Sequence, residues 1–189
     1  MSELLSGKRI LITQADQFMG PMLCEVLRAK GATVIADDSD LSMAGVAEKV
    51  VADSGRIDVL VANLSIPAPS TPAAQVSEEE WQAVFAALVS PLPRLCAAVL
   101  PQMVERRAGK ILLMGSASAL RGMKRASTYS AARGAQLAYI QAVGVEMAEH
   151  NIQINAIAQN FVENPTYFPP EVQANPRFQE RLKREVPLG

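Results

Sequence analysis

The sequence is poor in the residues that support several common kinds of protein chemistry. Its 189 residues include two cysteines, one histidine and one tryptophan. Cys24 and Cys96 lie far apart in stretches with helical patterning, so we expect two small buried side chains rather than a disulfide or a metal clip. The single histidine, His150, follows a predicted helix, and the chain offers no Ser/His/Asp set and no metal cluster. This cysteine usage fits a reducing, cytoplasmic setting.

Strong charge and uninterrupted apolar runs are also missing. The formal net charge is −1 and the chain has no dense run of Lys or Arg. It therefore lacks the positively charged surface that binds a phosphate backbone or an anionic membrane. Residues 1–9 lack the apolar segment of a signal peptide, and prolines and an arginine interrupt the most apolar later stretch, residues 86–100. We expect neither nucleic acid nor a membrane as a partner.

What the sequence does contain is a regular alternation of strand and helix patterns. Short apolar runs predict strands at 9–13, 33–36, 57–62, 110–114 and 153–158. Helical spacing predicts helices at 21–30, 44–53 and 128–149, and one long helix that Ser77 caps and that runs through Pro91 to Glu105, with a kink allowed along it. The alternation predicts an α/β fold, a doubly wound parallel sheet in three layers. With 49% hydrophobic residues, residues 1–189 suffice for a single domain.

Four features occur together in the order and spacing of a known family. A Thr-initiated turn follows the first strand at Thr13, Asn63 follows IDVLVA, Ser116 follows KILLMG, and a helix carries Tyr129-Ser-Ala-Ala-Arg133. In this combination the chain resembles the short-chain dehydrogenase/reductase family over nearly its whole length. Its departures from the oxidoreductases of that family resemble the halohydrin dehalogenases, of which the B-type is nearest. The resemblance implies a Rossmann-like fold. The C-terminal helix and edge strand that usually complete this fold in the family are expected to be missing from residues 1–189.

The first departure is in the turn Thr13-Gln-Ala-Asp-Gln-Phe-Met-Gly20. In the oxidoreductases three glycines here allow a tight turn and bring backbone amides close to a pyrophosphate at the helix N-terminus. Gln14 and Phe18 replace the first two, and the Phe18 ring is expected to project into the space a nucleotide needs. Gly20, the third, is retained and permits close helix–strand packing. An alternative is that Phe18 simply packs on the sheet.

The other departures concern groups that surround the cofactor in the oxidoreductases. The path from Asp38 to Ile57 is short for the helix and strand that normally flank an adenosine pocket, although an acidic residue there could still bind a ribose. Leu88 stands where the family has an Asn that supports a proton-relay water. Arg133 replaces a lysine that also binds the nicotinamide ribose. The resemblance therefore implies that no nucleotide cofactor is used.

The same resemblance implies the catalytic residues Ser116, Tyr129 and Arg133. Tyr129 and Arg133 are four residues apart and so share one face of a helix. A free tyrosine titrates near ~10, and a fixed cation beside it favours the phenolate, which is the better base. Ser116, at a strand end, would hold a substrate oxygen. Taken alone, such a Tyr/Arg pair is an ordinary helix-surface contact, and that alternative stays open.

The implied reaction has no redox step. A vicinal haloalcohol gives its proton to Tyr129, the alkoxide closes to an epoxide, and chloride or bromide leaves; in reverse, halide, azide, cyanide or nitrite opens an epoxide. The halide and substrate pocket is expected between the first turn and the loop after the last strand. Its predicted walls are Phe18, Gln159, Asn160, Phe161, Tyr167 and Phe168.

Two other functions remain open at this point. The first is an NAD(P)-dependent oxidoreductase with a degenerate cofactor loop, which would be recognised by binding of NADH or NADPH. The second is a non-catalytic scaffold, against which the intact Ser/Tyr/Arg set argues.

The aromatic residues of the loop after the last strand also have an alternative role, in which they merely anchor that loop to the protein surface. From the family we expect a homo-oligomer, either a dimer or a tetramer.

Overall fold

Five parallel strands form one sheet at the centre of the molecule. The computed structural model describes residues 4–164 and 166–186. The strands are β1 (Arg9–Thr13), β2 (Thr33–Asp37), β3 (Val59–Ala62), β4 (Gly109–Met114) and β5 (Ile152–Ile157). Their order is β2-β1-β3-β4-β5, and each neighbouring pair is parallel. The strand order reverses beside β1, where doubly wound sheets bind ligands at the carboxyl ends of their strands. The predicted fold class is confirmed.

Seven α-helices accompany these strands in the described residues. They are α1 (Gly20–Ala29), α2 (Val46–Ser54), α3 (Glu78–Leu88), α4 (Pro91–Glu105), α5 (Ser127–Met147), α6 (Pro170–Gln173) and α7 (Pro176–Glu185). As predicted, Ser77 caps α3, because its Oγ accepts the Glu80 N–H at 3.2 Å. Between β2 and β3 the described chain has α2 and no further strand, in agreement with the short path expected there.

The prediction of one long helix through Pro91 was wrong. Helix α3 ends at Leu88 and α4 begins at Pro91, with Val89 and Ser90 between them. Proline has no N–H to donate to the preceding turn and its ring crowds that turn, so it interrupts a helix but suits the first position of a new one. The apolar spacing continues across this break, and periodicity alone therefore could not detect it.

Buried side chains cover both faces of the sheet, which makes three layers. The larger cluster lies under α2, α4 and α5 and includes Leu60, Leu95 and Ile111. The smaller cluster lies under α1 and includes Phe18 and Cys24. Both cysteines are free and buried. Burial raises the pKa of the Cys96 thiol to about 12, so this thiol is an unreactive core group.

One stretch of the described chain, Glu78–Glu105, is long and apolar enough to cross a membrane by length and composition alone. In α4, however, its apolar residues face the core: Leu92, Leu95 and Val99 are all at most 1% exposed. A core helix passes the same test of length and hydropathy, so the stretch is weak evidence for a membrane.

Candidate active site

A cavity of about 200 Å³ lies at the carboxyl edge of the sheet, between the first turn and the loop after β5. The structure brings eight of the nine predicted site residues to this cavity: Phe18, Ser116, Tyr129, Gln159, Asn160, Phe161, Tyr167 and Phe168. The ninth, Arg133, is completely buried and contacts the rings of Phe18 and Tyr129, which line the cavity. The site is thus built from loops that the sheet and α5 hold in place.

Ser116 directly follows β4, and its side chain is fixed by the short turn after it. The Ser116 Oγ accepts the Ser118 N–H at 3.2 Å and lies 2.9 Å from the Ser118 Oγ. Next to it, the Gly115 N–H donates to the Ile157 carbonyl at 2.9 Å, which joins the ends of β4 and β5. The Ser116 hydroxyl is therefore held at the cavity, where it can hydrogen-bond to an oxygen of a bound molecule.

Tyr129 and Arg133 do share one face of α5, as their spacing predicts. The Tyr129 side chain is 4% exposed and the Arg133 side chain is fully buried. The guanidinium carbon lies 5.1 Å from the centroid of the Tyr129 ring and 5.8 Å from that of the Phe18 ring. The pair is therefore a buried cation–aromatic contact, and the alternative of an ordinary helix-surface pair does not describe it.

The hydrogen-bond partners of Arg133 are all neutral. Its Nη1 donates to the Met114 carbonyl at 3.2 Å and to the Gln136 Oε1 at 3.0 Å, and its Nη2 donates to the Tyr167 hydroxyl at 3.4 Å. Among the described residues, no carboxylate forms an ion pair with it. The positive charge beside Tyr129 is thus not cancelled by a neighbouring acid.

Tyr167 reaches into the same region from the loop after β5. Its hydroxyl donates to the Ile66 carbonyl at 2.6 Å, and its ring meets the Phe18 ring edge-on with centroids 5.1 Å apart. Burial raises the pKa of Tyr167 far above its usual value; the charge of Arg133 opposes this effect, and the neighbouring Tyr129 adds to it. Tyr167 therefore stays a neutral phenol and holds the loop over the site.

The first turn keeps the backbone of a glycine turn although two of its glycines are replaced. Gln14 has φ 45° and Phe18 has φ 52°, both in the left-handed region that favours glycine. The Gln14 Oε1 accepts the N–H of Ser65 at 2.6 Å and its hydroxyl at 3.0 Å. The Phe18 N–H donates to the Thr166 Oγ1 at 2.7 Å. The Phe18 ring packs in the core under α1, as the alternative held, and also lines the cavity.

The residues of this turn do not fit the nicotinamide dinucleotide that a Rossmann-like fold implies. The Phe18 N–H, at the position of the second glycine, is already bonded to Thr166, and a ring that is 4% exposed replaces the open space beside it. The Asp16 N–H donates to the Asp38 carboxylate at 2.8 Å. Desolvation, followed by the charge of Asp38, raises the pKa of Asp16. One carboxyl group within the turn and one beside it oppose a pyrophosphate.

Five cavity residues were missed by sequence reasoning: Ala68, Gly115, Met123, Asn164 and Arg181. Asn164 had a local signal, because Asn often bonds to the backbone just after it; its Oδ1 accepts the N–H groups of Thr166 and Tyr167 at 3.1 and 2.8 Å. Arg181 had none. It comes from α7, where its guanidinium carbon lies 5.3 Å from the Phe161 ring centroid and its Nε donates to Glu185 at 2.9 Å.

A doubly wound parallel sheet that carries a Ser/Tyr/Arg set at its carboxyl edge defines a Rossmann-like enzyme scaffold. The family model for short chain dehydrogenases matches residues 37–173, and the chain belongs to that family. Among curated relatives, 5-keto-D-gluconate 5-reductase of Escherichia coli K12 is 32% identical, and the match covers 89% of this chain and 74% of that protein.

Two similar solved structures carry dehalogenase titles. One, titled "Dehalogenation enzyme", is 29% identical and covers 98% of this chain and 85% of its own, with a TM-score of 0.90. The other, a halohydrin dehalogenase bound to ethyl (2S)-oxiran-2-ylacetate, is 27% identical and covers 93% and 81%, with a TM-score of 0.83. Since the similar proteins include a reductase as well as dehalogenases, family membership alone leaves the reaction class open.

Proposed function

We propose that this protein is a halohydrin dehalogenase that needs no nucleotide cofactor. It would convert vicinal haloalcohols into epoxides with release of halide and, in reverse, open epoxides with small anions. One observation carries the proposal: the rings of Phe18 and Tyr167 pack on each other beside Arg133, and the Tyr167 hydroxyl accepts a hydrogen bond from Arg133. In an oxidoreductase of this family, a nicotinamide nucleotide would be expected on that side of the Tyr/basic pair. Ser116 and Tyr129 nevertheless remain at the wall of a cavity. The two dehalogenase structures support the same assignment.

In the proposed reaction, the Ser116 hydroxyl donates a hydrogen bond to the substrate oxygen and the Tyr129 phenolate accepts the proton of the substrate hydroxyl. The alkoxide then attacks the neighbouring carbon from the side opposite the halogen. The new carbon–oxygen bond forms as the carbon–halogen bond breaks, and the halide leaves with the bonding electron pair. The proton stays on Tyr129, and no atom of the protein is oxidised or reduced. Arg133 stabilises the phenolate by its charge.

The leaving halide needs hydrogen-bond donors within apolar walls. Gln159 lines the cavity, and its Nε2 is buried without a partner among the described residues. A buried amide N–H without an acceptor is unfavourable and gains most when an anion supplies one. The rings of Phe161 and Phe168, 5.5 Å apart, form the apolar wall beside it. This part of the cavity suits a halide.

The alternative is an NAD(P)-dependent reductase. It is favoured by the 32% identity with 5-keto-D-gluconate 5-reductase and by the Ser/Tyr/basic set, which such enzymes share. It would require Phe18 and the loop that carries Tyr167 to move out of the nucleotide region together.

The deciding experiment measures chloride release from 1-chloro-2-propanol in nucleotide-free buffer, with the Tyr129→Phe protein as the control. Release by the wild type and its loss in the variant would support the proposal. Calorimetry with NADH and NADPH runs in parallel. If no chloride is released while either nucleotide binds at low micromolar concentration, the dehalogenase proposal is wrong and the reductase alternative replaces it.

A further inference from the structure

One fully buried cation, Arg133, has no acidic partner among the described residues. Arg133 is 0% exposed, and burying a charge is costly unless hydrogen bonds and an opposite charge compensate it. Its Nη groups bond only to neutral oxygens, from Met114, Gln136 and Tyr167. Of these three acceptors, the Gln136 amide is the one that a single substitution, Gln136→Glu, can turn into a negatively charged group without moving the backbone.

Gln136 is held at both ends of its amide. Its Oε1 accepts the Arg133 Nη1 at 3.0 Å, and its Nε2 donates to the Leu88 carbonyl at 2.5 Å. Arg133, Gln136 and Leu88 are each 0% exposed, so water does not compete for these bonds. Because the Leu88 carbonyl can only accept, the amide has one favourable orientation, with its oxygen toward the guanidinium. The Leu88 carbonyl, at the end of α3, thereby fixes the position of the Arg133 guanidinium of α5 through the Gln136 amide.

We propose that Gln136 is a positioning residue, which holds the Arg133 guanidinium over the Tyr129 ring while leaving its charge uncancelled. The catalytic meaning of this role rests on the proposed dehalogenase function. On the cavity side of Tyr129 the other charged or titratable groups are Tyr167, from the loop after β5, and Arg181, which lines the cavity from α7; neither supplies a negative charge. On α3, the Glu80 carboxylate accepts the hydroxyl of Thr128, the residue before Tyr129, at 2.7 Å, and substitutions at position 136 leave that contact unchanged. A glutamate at position 136 would cancel the field of Arg133, and a methionine would free the guanidinium to move.

The test compares pH–rate profiles of chloride release for the wild type, Gln136→Met, Gln136→Glu and the control Gln141→Met, a substitution of an exposed glutamine on the same helix. Both changes at position 136 should move the profile to higher pH, because the guanidinium charge over Tyr129 is displaced or cancelled, and lower kcat at neutral pH about tenfold, with little change in KM. The control should match the wild type. If Gln136→Met does not fold, Gln136→Glu, which keeps an acceptor oxygen for Arg133, decides.

A second measurement needs no turnover. The formation of tyrosinate is followed by ultraviolet absorbance without substrate, and the Tyr129 signal is obtained by subtracting the Tyr129→Phe titration. Ionisation at higher pH in both Gln136 variants supports the positioning role even if the wild type releases no chloride, in which case only the proposed function fails. Folded variants whose tyrosinate titrations coincide with that of the wild type overturn the role of Gln136, whatever the activity.

Discussion

At the scale of single residues, two tyrosines lie at one cavity and their surroundings give them different tasks. The Tyr167 hydroxyl donates to the Ile66 carbonyl, and burial raises its pKa, so it cannot readily lose its proton. Tyr129 has the Arg133 cation over its ring. We therefore expect Tyr129→Phe to reduce chloride release by about 10²–10⁴-fold. Tyr167→Phe should cost less than about tenfold in rate and about 1 kcal/mol in stability.

Both changes remove one oxygen atom from a ring of the same size, so each variant is the matched control for the other. Initial rates and urea unfolding of the two proteins measure the two effects. A Tyr167→Phe protein that loses as much activity as Tyr129→Phe would show that the wrong tyrosine has been assigned as the base.

Charge and hydrogen-bonding geometry can be separated at Arg133. A lysine keeps the charge but cannot bond to Met114, Gln136 and Tyr167 together, so Arg133→Lys should keep part of the activity. Arg133→Met should keep almost none, and its remaining pH–rate profile should move to higher pH because no cation favours the phenolate. Chloride release measured over a range of pH tests both variants. A near-normal rate with an unchanged profile in Arg133→Met would remove Arg133 from the mechanism.

At the scale of elements, the turn between β1 and α1 depends on close backbone packing at Gly20. A Cβ there would lie 2.5 Å from the carbonyl oxygens of Gln14 and Ala15, and backbone atoms cannot move aside cheaply. Gly20→Ala should therefore destabilise the fold by about 2–4 kcal/mol. The control is Gly134→Ala on α5, where a Cβ meets nothing within 4 Å and should stabilise by about 0.5–1 kcal/mol.

Urea unfolding of both alanine variants measures this difference. Equal stabilities would mean that the turn can open without cost, and the same opening would then make room for a nucleotide. The Gly20 prediction therefore also bears on whether a cofactor is excluded.

The elements that the sequence predicted well are those whose signal is local. The strands have continuous apolar runs, and each predicted strand lies within two residues of the observed one at both ends. The break before Pro91 and the partners of Arg133 were not predicted, because they depend on packing between distant segments. Gln136 stands three residues after Arg133, a spacing that allows contact. Only the position of the Leu88 carbonyl, however, determines which way its amide points.

The site itself was predicted largely through resemblance to a family. Ser116, Tyr129 and the loop after β5 converge because the carboxyl ends of parallel strands share one edge of the sheet. Arg181 belongs to α7, far along the chain, and no local pattern connects it with the cavity that it lines. Only the folded structure shows that the Arg181 guanidinium lies beside the Phe161 ring.

At the scale of the whole molecule, a carboxylate far from the site links strands at the amino edge of the sheet. Asp58 accepts the Arg9 N–H at 2.9 Å and the Arg56 Nη2 at 2.8 Å. Although desolvation opposes the change, these bonds and the nearby positive charges hold the pKa of Asp58 below its usual value. In the unfolded chain the value is about 3.9. The carboxylate thus stabilises the fold above about pH 4, and this contribution is lost as the pH falls through the lower folded value.

Asp58→Asn should therefore cost about 2 kcal/mol at neutral pH and make stability less dependent on pH in the acid range. Thermal unfolding of both proteins between about pH 7 and pH 3 tests this expectation, with Asp53→Asn, at an exposed position on α2, as the control. Parallel stability curves for Asp58→Asn and the wild type would assign the acid sensitivity to other groups.

The burial of the residues around the Arg133 guanidinium has one further consequence for the proposed reaction. Arg133, Gln136 and Leu88 are each fully buried, so in the proposed reaction the proton taken up by Tyr129 would reach water through the cavity, as the halide would. In the proposed reaction each turnover would then release an electroneutral pair, the two ions of a strong acid, through the cavity. Added chloride should consequently inhibit more strongly in acidic than in basic buffer, because the product-bound state of the site re-forms only when a chloride ion and a proton both return from solution.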